Sequence, residues 1–203
     1  MPTSQLRKNI FALIIAGLSI FAVSMQYILM LQNRTENIME SSIRFFSYFT
    51  ILTNSMVAWF FISTLINKNL NSSKLTAVTV YITIVGLVYQ LVLRQLWKPS
   101  GMQYLVDECL HSIVPLLVII FWSLYSKNML TPYRRITKWL LYPFLYFLFI
   151  LARGSISGFY PYPFIDVSTI GYEKTMLNAL LVLLLFIAIA VIFLFIGKKL
   201  IKR

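Results

Sequence analysis

Six apolar runs dominate the 203-residue chain, at about residues 9–32, 43–66, 75–94, 104–125, 139–158 and 175–196. Each meets the ~20 residues that an α-helix needs to cross the hydrocarbon of a bilayer. A segment in lipid must satisfy its own backbone, so even the β-branched stretch Thr76 to Val85, which would favour strands in water, is predicted to be helical. With hydrophobic residues at 59% and charged ones at 12%, nothing is left over for a soluble domain. The predicted fold class is all-α: a polytopic membrane protein with six transmembrane helices in one domain, residues 1–203. The first run follows Arg7 and Lys8, as in a signal peptide, but it far exceeds an h-region and reads as a retained anchor.

The formal charge of +12 follows the topology. Twelve of the eighteen Lys and Arg residues fall at the termini and in the second and fourth loops, among them Lys68, Lys127, Lys202 and Arg203. The other six share the opposite side with all six acidic residues. The positive-inside rule then predicts that both termini are cytoplasmic, and the basic excess needs no nucleic acid or protein partner. The expected partners are the bilayer and a small lipidic molecule. Cys109 and His111 are the sole residues of their types, which excludes an internal disulfide, a thiolate cluster and a bis-histidine haem. No metal or cofactor is expected.

The loops carry their own signals. Asn33-Arg34-Thr35 is a glycosylation sequon, meaningful only in a glycosylating host, and Pro99-Ser100-Gly101 marks a turn. The segment from Gly158 to Asp166 alternates aromatic residues with Pro161 and Pro163, which forbid a regular helix. It is predicted to cap the bundle at the membrane interface.

Ser47, Thr50 and Asn54 fall at i, i+3 and i+7 of the second run and on a helix form one polar stripe in an aromatic wall. Such a stripe faces protein, a water-filled cavity or a substrate, which makes Ser47 and Asn54 candidate substrate contacts and Thr50 a candidate nucleophile. The plainer alternative is interhelical hydrogen bonding or a bond to the carbonyl one turn back. His111 lies on the fourth run, and Pro115 removes the N–H that its carbonyl would accept, so the helix is predicted to loosen there. Thr50 and His111 each lie seven residues inside their runs, about 10 Å below the same boundary. Asp107 or Glu108 precedes His111 by one turn and could orient the imidazole. A hydroxyl, a base and an orienting carboxylate meet the requirements of nucleophilic catalysis. Alternatively, His111 simply packs.

Arg44, Arg94 and Arg153 sit at the same end of the second, third and fifth runs. They either snorkel or pair with Asp107, Glu108 and Asp166, or they contact substrate, with Arg153 the foremost candidate for a substrate carboxylate. Gly154-Ser155-Ile156-Ser157-Gly158 loosely resembles an intramembrane serine-protease motif, but no histidine follows it.

Three stretches together resemble the androgen-induced AIG-type multispanning membrane proteins and their bacterial relatives. They are Phe46-Ser47-Tyr48-Phe49-Thr50, Leu110-His111 with Pro115 a turn onward, and Tyr162-Pro163-Phe164 before Gly171. The resemblance implies an intramembrane hydrolase in which Thr50 and His111 cleave fatty acid esters of hydroxy fatty acids. It also makes Tyr162 a candidate substrate contact and implies residence in a cell membrane, the plasma membrane for a bacterial host. The chain departs from the animal pattern in having Asp107-Glu108 where those proteins carry a second histidine.

The leading expectation is therefore a threonine hydrolase acting on a lipidic carboxylic ester. In it His111 serves as base, Asp107 or Glu108 orients it, and Asn54 is the candidate oxyanion donor. The rivals are a non-catalytic carrier of a small amphiphile using the same cavity, and a structural subunit.

Overall fold

The computed structural model describes residues 2–67, 70–126 and 131–201. Lys68, Lys127, Lys202 and Arg203, which enter the expected orientation, lie outside the described residues. Among those described there are nine α-helices and no strand: α1 (Pro2–Gln32), α2 (Ile38–Phe45), α3 (Phe49–Asn67), α4 (Ser72–Val88), α5 (Gly101–Glu108), α6 (Val114–Tyr125), α7 (Arg135–Trp139), α8 (Leu141–Ser157) and α9 (Val167–Ile201). A π-helical turn, Tyr89–Leu93, extends α4, and a second, Cys109–Ile113, joins α5 to α6. Six rods long and apolar enough to cross a membrane result: Ser4–Gln32, Phe49–Asn67, Ser72–Leu93, Gly101–Tyr125, Arg135–Ser157 and Val167–Lys199. The chain is an all-α, multi-pass membrane protein.

The second apolar run departs from expectation. One continuous helix from Ile43 to Ile66 is replaced by the short α2 and the separate rod α3, with Phe46, Ser47 and Tyr48 as the joint. Helix α2 is locally well specified. Asn37 caps it by accepting the Glu40 N–H at 2.9 Å, and Arg44 Nε reaches Glu40 Oε1 at 2.8 Å across one turn. The break comes from tertiary contact. The Tyr146 hydroxyl of α8 donates to the Ser47 carbonyl at 2.8 Å, and the Ile51 N–H, which would have bonded that carbonyl, turns to Tyr48 O at 3.1 Å. The Ser47 hydroxyl bonds back to Ile43 O at 2.7 Å. Ser47 therefore leaves the predicted stripe, and Thr50 becomes the second residue of α3.

Helix α4 is the central rod, packed against α3, α6 and α9. Its approach to the fourth rod depends on Gly86, where an added Cβ would stand 3.1 Å from the His111 carbonyl oxygen and 3.4 Å from the Pro115 ring. Both neighbours are backbone or ring atoms that cannot swing aside. Gly86→Ala is expected to lower stability by about 1–3 kcal/mol, the ordinary cost of overpacking, read as a lower Tm in detergent. An unchanged Tm would show that the rods can part freely.

The other half of the bundle is looser. Helix α8 buries only Ile150 and Gly154 and meets α3 mainly through rings, with Phe49 5.0 Å from both Tyr142 and Tyr146. It ends at Gly158, whose φ of 70° is a left-handed conformation suited to glycine, with its N–H on Gly154 O at 2.9 Å. The Gly158–Asp166 segment does not merely cap the bundle. A 3₁₀ turn, Pro163–Ile165, drives Tyr162 and Ile165 inward until they are 8% and 5% exposed, and Asn178 Nδ2 pins the turn through Phe164 O at 2.8 Å. Asp166, expected to pair with an arginine, instead accepts the Ser168 and Thr169 N–H groups at 3.0 and 3.3 Å, starting α9. Hydrogen bonding from Ser168 holds its carboxyl below the usual range.

Candidate active site

The buried hydroxyls of this bundle mostly do what membrane hydroxyls do. Ser19, Thr64, Thr76 and Thr79 each bond the carbonyl four residues back at 2.8–2.9 Å. Thr50 does not, because the break at residues 46–48 removes the preceding helical turn. Its Oγ1 lies 3.4 Å from the Tyr162 hydroxyl oxygen, which also accepts the Thr50 N–H at 3.3 Å. Tyr162 thus spends its lone pair on the free N-terminus of α3, and its own proton is available to Thr50 or to a ligand.

His111 sits in the π turn Cys109–Ile113. Pro115 supplies no N–H, and the Val114 N–H goes to Cys109 O in the wider π register. The Leu110 carbonyl is left without a helical donor. Asn54 Nδ2 fills that vacancy at 3.2 Å while also donating to Thr50 O at 2.9 Å, tying α3 to the turn that carries the histidine. Asn54 is fully buried, lines neither of the two cavities that meet here, and its Oδ1 has no partner. It is a strut rather than an oxyanion donor. Asn54→Leu leaves the Leu110 carbonyl without a donor, while the Thr50 carbonyl keeps the backbone N–H of residue 54, and is expected to cost about 1–3 kcal/mol of stability, measured by thermal unfolding. An unchanged Tm would refute the strut.

The imidazole is held on two sides. Nδ1 lies 2.9 Å from the Asp107 carbonyl and 3.3 Å from Asp107 Oδ1, so it carries the proton and leaves Nε2 as the basic nitrogen. The ring stacks on Tyr89 at 4.1 Å between centroids and 11° between planes, and the Tyr89 hydroxyl donates to the other Asp107 oxygen. Tyr89 opens the other π turn, so two π turns on neighbouring rods present the two stacked rings. π turns inside helices recur at functional sites. Of the two orienting candidates, Asp107 touches the histidine. Glu108 is engaged by Arg94 and by Ser112 Oγ at 2.6 Å.

The larger of the two cavities, about 930 Å³, is lined by Thr50, His111, Tyr89, Asp107 and Tyr162, with Arg34, Glu36, Arg44 and Lys98 also on its wall. The smaller, about 330 Å³, lies among α3, α4, α8 and α9 and is walled chiefly by hydrocarbon. Thr50, Leu93 and Tyr162 belong to both. No hydrogen bond joins Thr50 to His111, although the same cavity holds both.

The remaining expected substrate contacts are placed differently. Ser47 lines neither cavity, its oxygens being consumed within the joint and by Tyr146. Arg153 lies outside both cavities too, bound to Glu40 Oε1 at 2.9 Å and Ser157 Oγ at 3.0 Å, and Arg94 is held by Glu108 and by Gln90 at 2.6 Å. Of the three arginines only Arg44 lines the larger cavity, and Glu36 and Glu40 pair with it at 3.0 and 2.8 Å. Arg44 holds the Glu40 carboxyl below its usual range. The Phe159 ring lies 4.9 Å from Arg44 and 5.0 Å from Arg153. These arginines fasten α2 to α8. Sequence reasoning missed Tyr89, whose place near the end of a span looks like any interfacial aromatic.

No family model matches the chain, and no curated protein or solved structure matches it either.

Proposed function

We propose that the chain is an intramembrane hydrolase of lipidic carboxylic esters, of the kind that join a fatty acid to a hydroxy fatty acid, with Thr50 as nucleophile and His111 as base. The observation that carries this reading is the position of the Thr50 hydroxyl: released from its own helix and set in the wall common to a cavity that holds His111 and charged side chains and to a smaller one walled by hydrocarbon. His111 Nε2 removes the Thr50 proton, Thr50 Oγ1 attacks the ester carbonyl, and the alkoxide departs with that proton to leave an acyl-threonine. Water activated by His111 then releases the acid and restores Thr50. Asp107 fixes the tautomer, and the Tyr162 hydroxyl, which accepts the Thr50 N–H and keeps its own proton to donate, supports the oxyanion. Catalytic hydrogen bonds commonly tighten only when substrate is bound, so the open Thr50–His111 gap is compatible with this chemistry. The motif likeness to AIG-type proteins and the plasma-membrane setting, with both termini cytoplasmic, belong to the same proposal.

That same gap favours the second reading, a non-catalytic carrier that binds an amphiphile in the joined cavities. Purified protein incubated with an ester of palmitic and hydroxystearic acids separates the two. Release of both acids at a rate proportional to protein supports the hydrolase. Saturable binding of intact ester without release overturns it in favour of the carrier.

A further inference from the structure

The smaller cavity has a direction. At one end are Thr50 and Tyr162, 7% and 8% exposed. At the other are Phe144, Leu180 and Leu183, exposed by 53%, 50% and 37% on the outward faces of α8 and α9. Between them the walls are deeply buried hydrocarbon, including Ile84, Val85 and Phe186. Exposed apolar faces of membrane-spanning rods face lipid, so the crevice runs from the hydrocarbon of the bilayer to the hydroxyl pair.

We propose that this crevice is a lateral access site for one acyl chain, which slides in from the membrane between α8 and α9 with its carbonyl end stopping at Thr50 and Tyr162. Three features fit that occupant. The cavity, at about 330 Å³, lies near the lower end of the ~300–1,000 Å³ range of ligand sites, enough for one chain and too little for a two-tailed lipid. Its side walls offer a chain nothing but apolar contact, which suits hydrocarbon and excludes a charged head. Its inner end presents the Thr50 and Tyr162 hydroxyls, donors that an acyl carbonyl accepts. The α8–α9 seam is also loosely built, since α8 buries only Ile150 and Gly154. On the hydrolase reading, on which only this last step rests, the remainder of the ester occupies the larger cavity, with any free carboxylate toward Arg34 and Lys98.

The test uses the 203-residue protein in lipid nanodiscs, irradiated with methyl dodecanoate carrying a mid-chain diazirine. The signal is the labelling that excess plain methyl dodecanoate competes away. Adducts are expected on residues 143–147 and 179–186. Ala179→Phe and, as a separate variant, Val182→Phe fill the crevice from α9 and are expected to lower the competed signal roughly tenfold. His111→Ala leaves it unchanged, since His111 lines only the larger cavity. Unaltered labelling in both filling variants, or competed adducts confined to Tyr48 and Leu110, would overturn the assignment. Labelling needs no turnover. Crevice labelling without ester hydrolysis sinks the enzyme and keeps the access site, whereas hydrolysis with labelling indifferent to both fillings does the reverse.

Discussion

Replacing Thr50 with alanine is expected to lower turnover of a hydroxy-fatty-acid ester about a thousandfold, which is about 4 kcal/mol on the barrier. The bundle should survive, because the Thr50 hydroxyl makes no bond to its own helix, and its partner across the bundle, the Tyr162 hydroxyl, stands 3.4 Å away. Thr50→Ser keeps a nucleophilic oxygen on the same backbone and is expected to stay within about tenfold of the parent. A carrier gives a different pattern, with neither variant changing a rate and both binding ester alike. Initial rates with matched Tm values decide between them.

His111→Ala is the second large effect, expected at about 10²–10⁴-fold on turnover, the range for a positioned general base. The neighbouring acids sharpen it. Asp107→Asn disturbs the imidazole tautomer and the Tyr89 hydroxyl together, so it is expected to follow His111→Ala in direction. Glu108→Gln touches only Arg94 and Ser112 and is expected to leave turnover nearly unchanged. Equal losses in Asp107→Asn and Glu108→Gln would mean that the acidic pair acts through the general field of that end of the bundle and not through the hydrogen bond to His111.

The six rods were legible because lipid imposes a single demand, satisfaction of the backbone, and length plus hydropathy answers it. The loosened turn at His111 was legible for a local reason: Pro115 removes one N–H and the consequence falls four residues upstream. The break after Phe45 was not, since nothing in Phe46-Ser47-Tyr48 itself stops a helix. The cause is Tyr146, about a hundred residues away, which takes the Ser47 carbonyl. The same kind of long-range contact brings Tyr162 to Thr50, which the break itself has freed from back-bonding. Arg153 shows the opposite failure. Its type and depth suit a substrate carboxylate, but Glu40 on α2 reaches it first, and the pairing could be read only after α2 was known to exist as a separate helix. Tyr89 was invisible because stacking on His111 requires two π turns to face each other across neighbouring rods.

The central claim is that Thr50 is a nucleophile made reactive by His111 inside the membrane. Its most direct measurement is the site of covalent modification after a lipid-tailed fluorophosphonate is applied to the protein and to His111→Ala in nanodiscs, read by mass spectrometry of the α3 peptide. The expected result is a phosphonyl adduct on Thr50 in the parent protein, blocked by excess ester and lost in the variant. An adduct on another hydroxyl such as Ser112, or equal modification of Thr50 with and without His111, would contradict it.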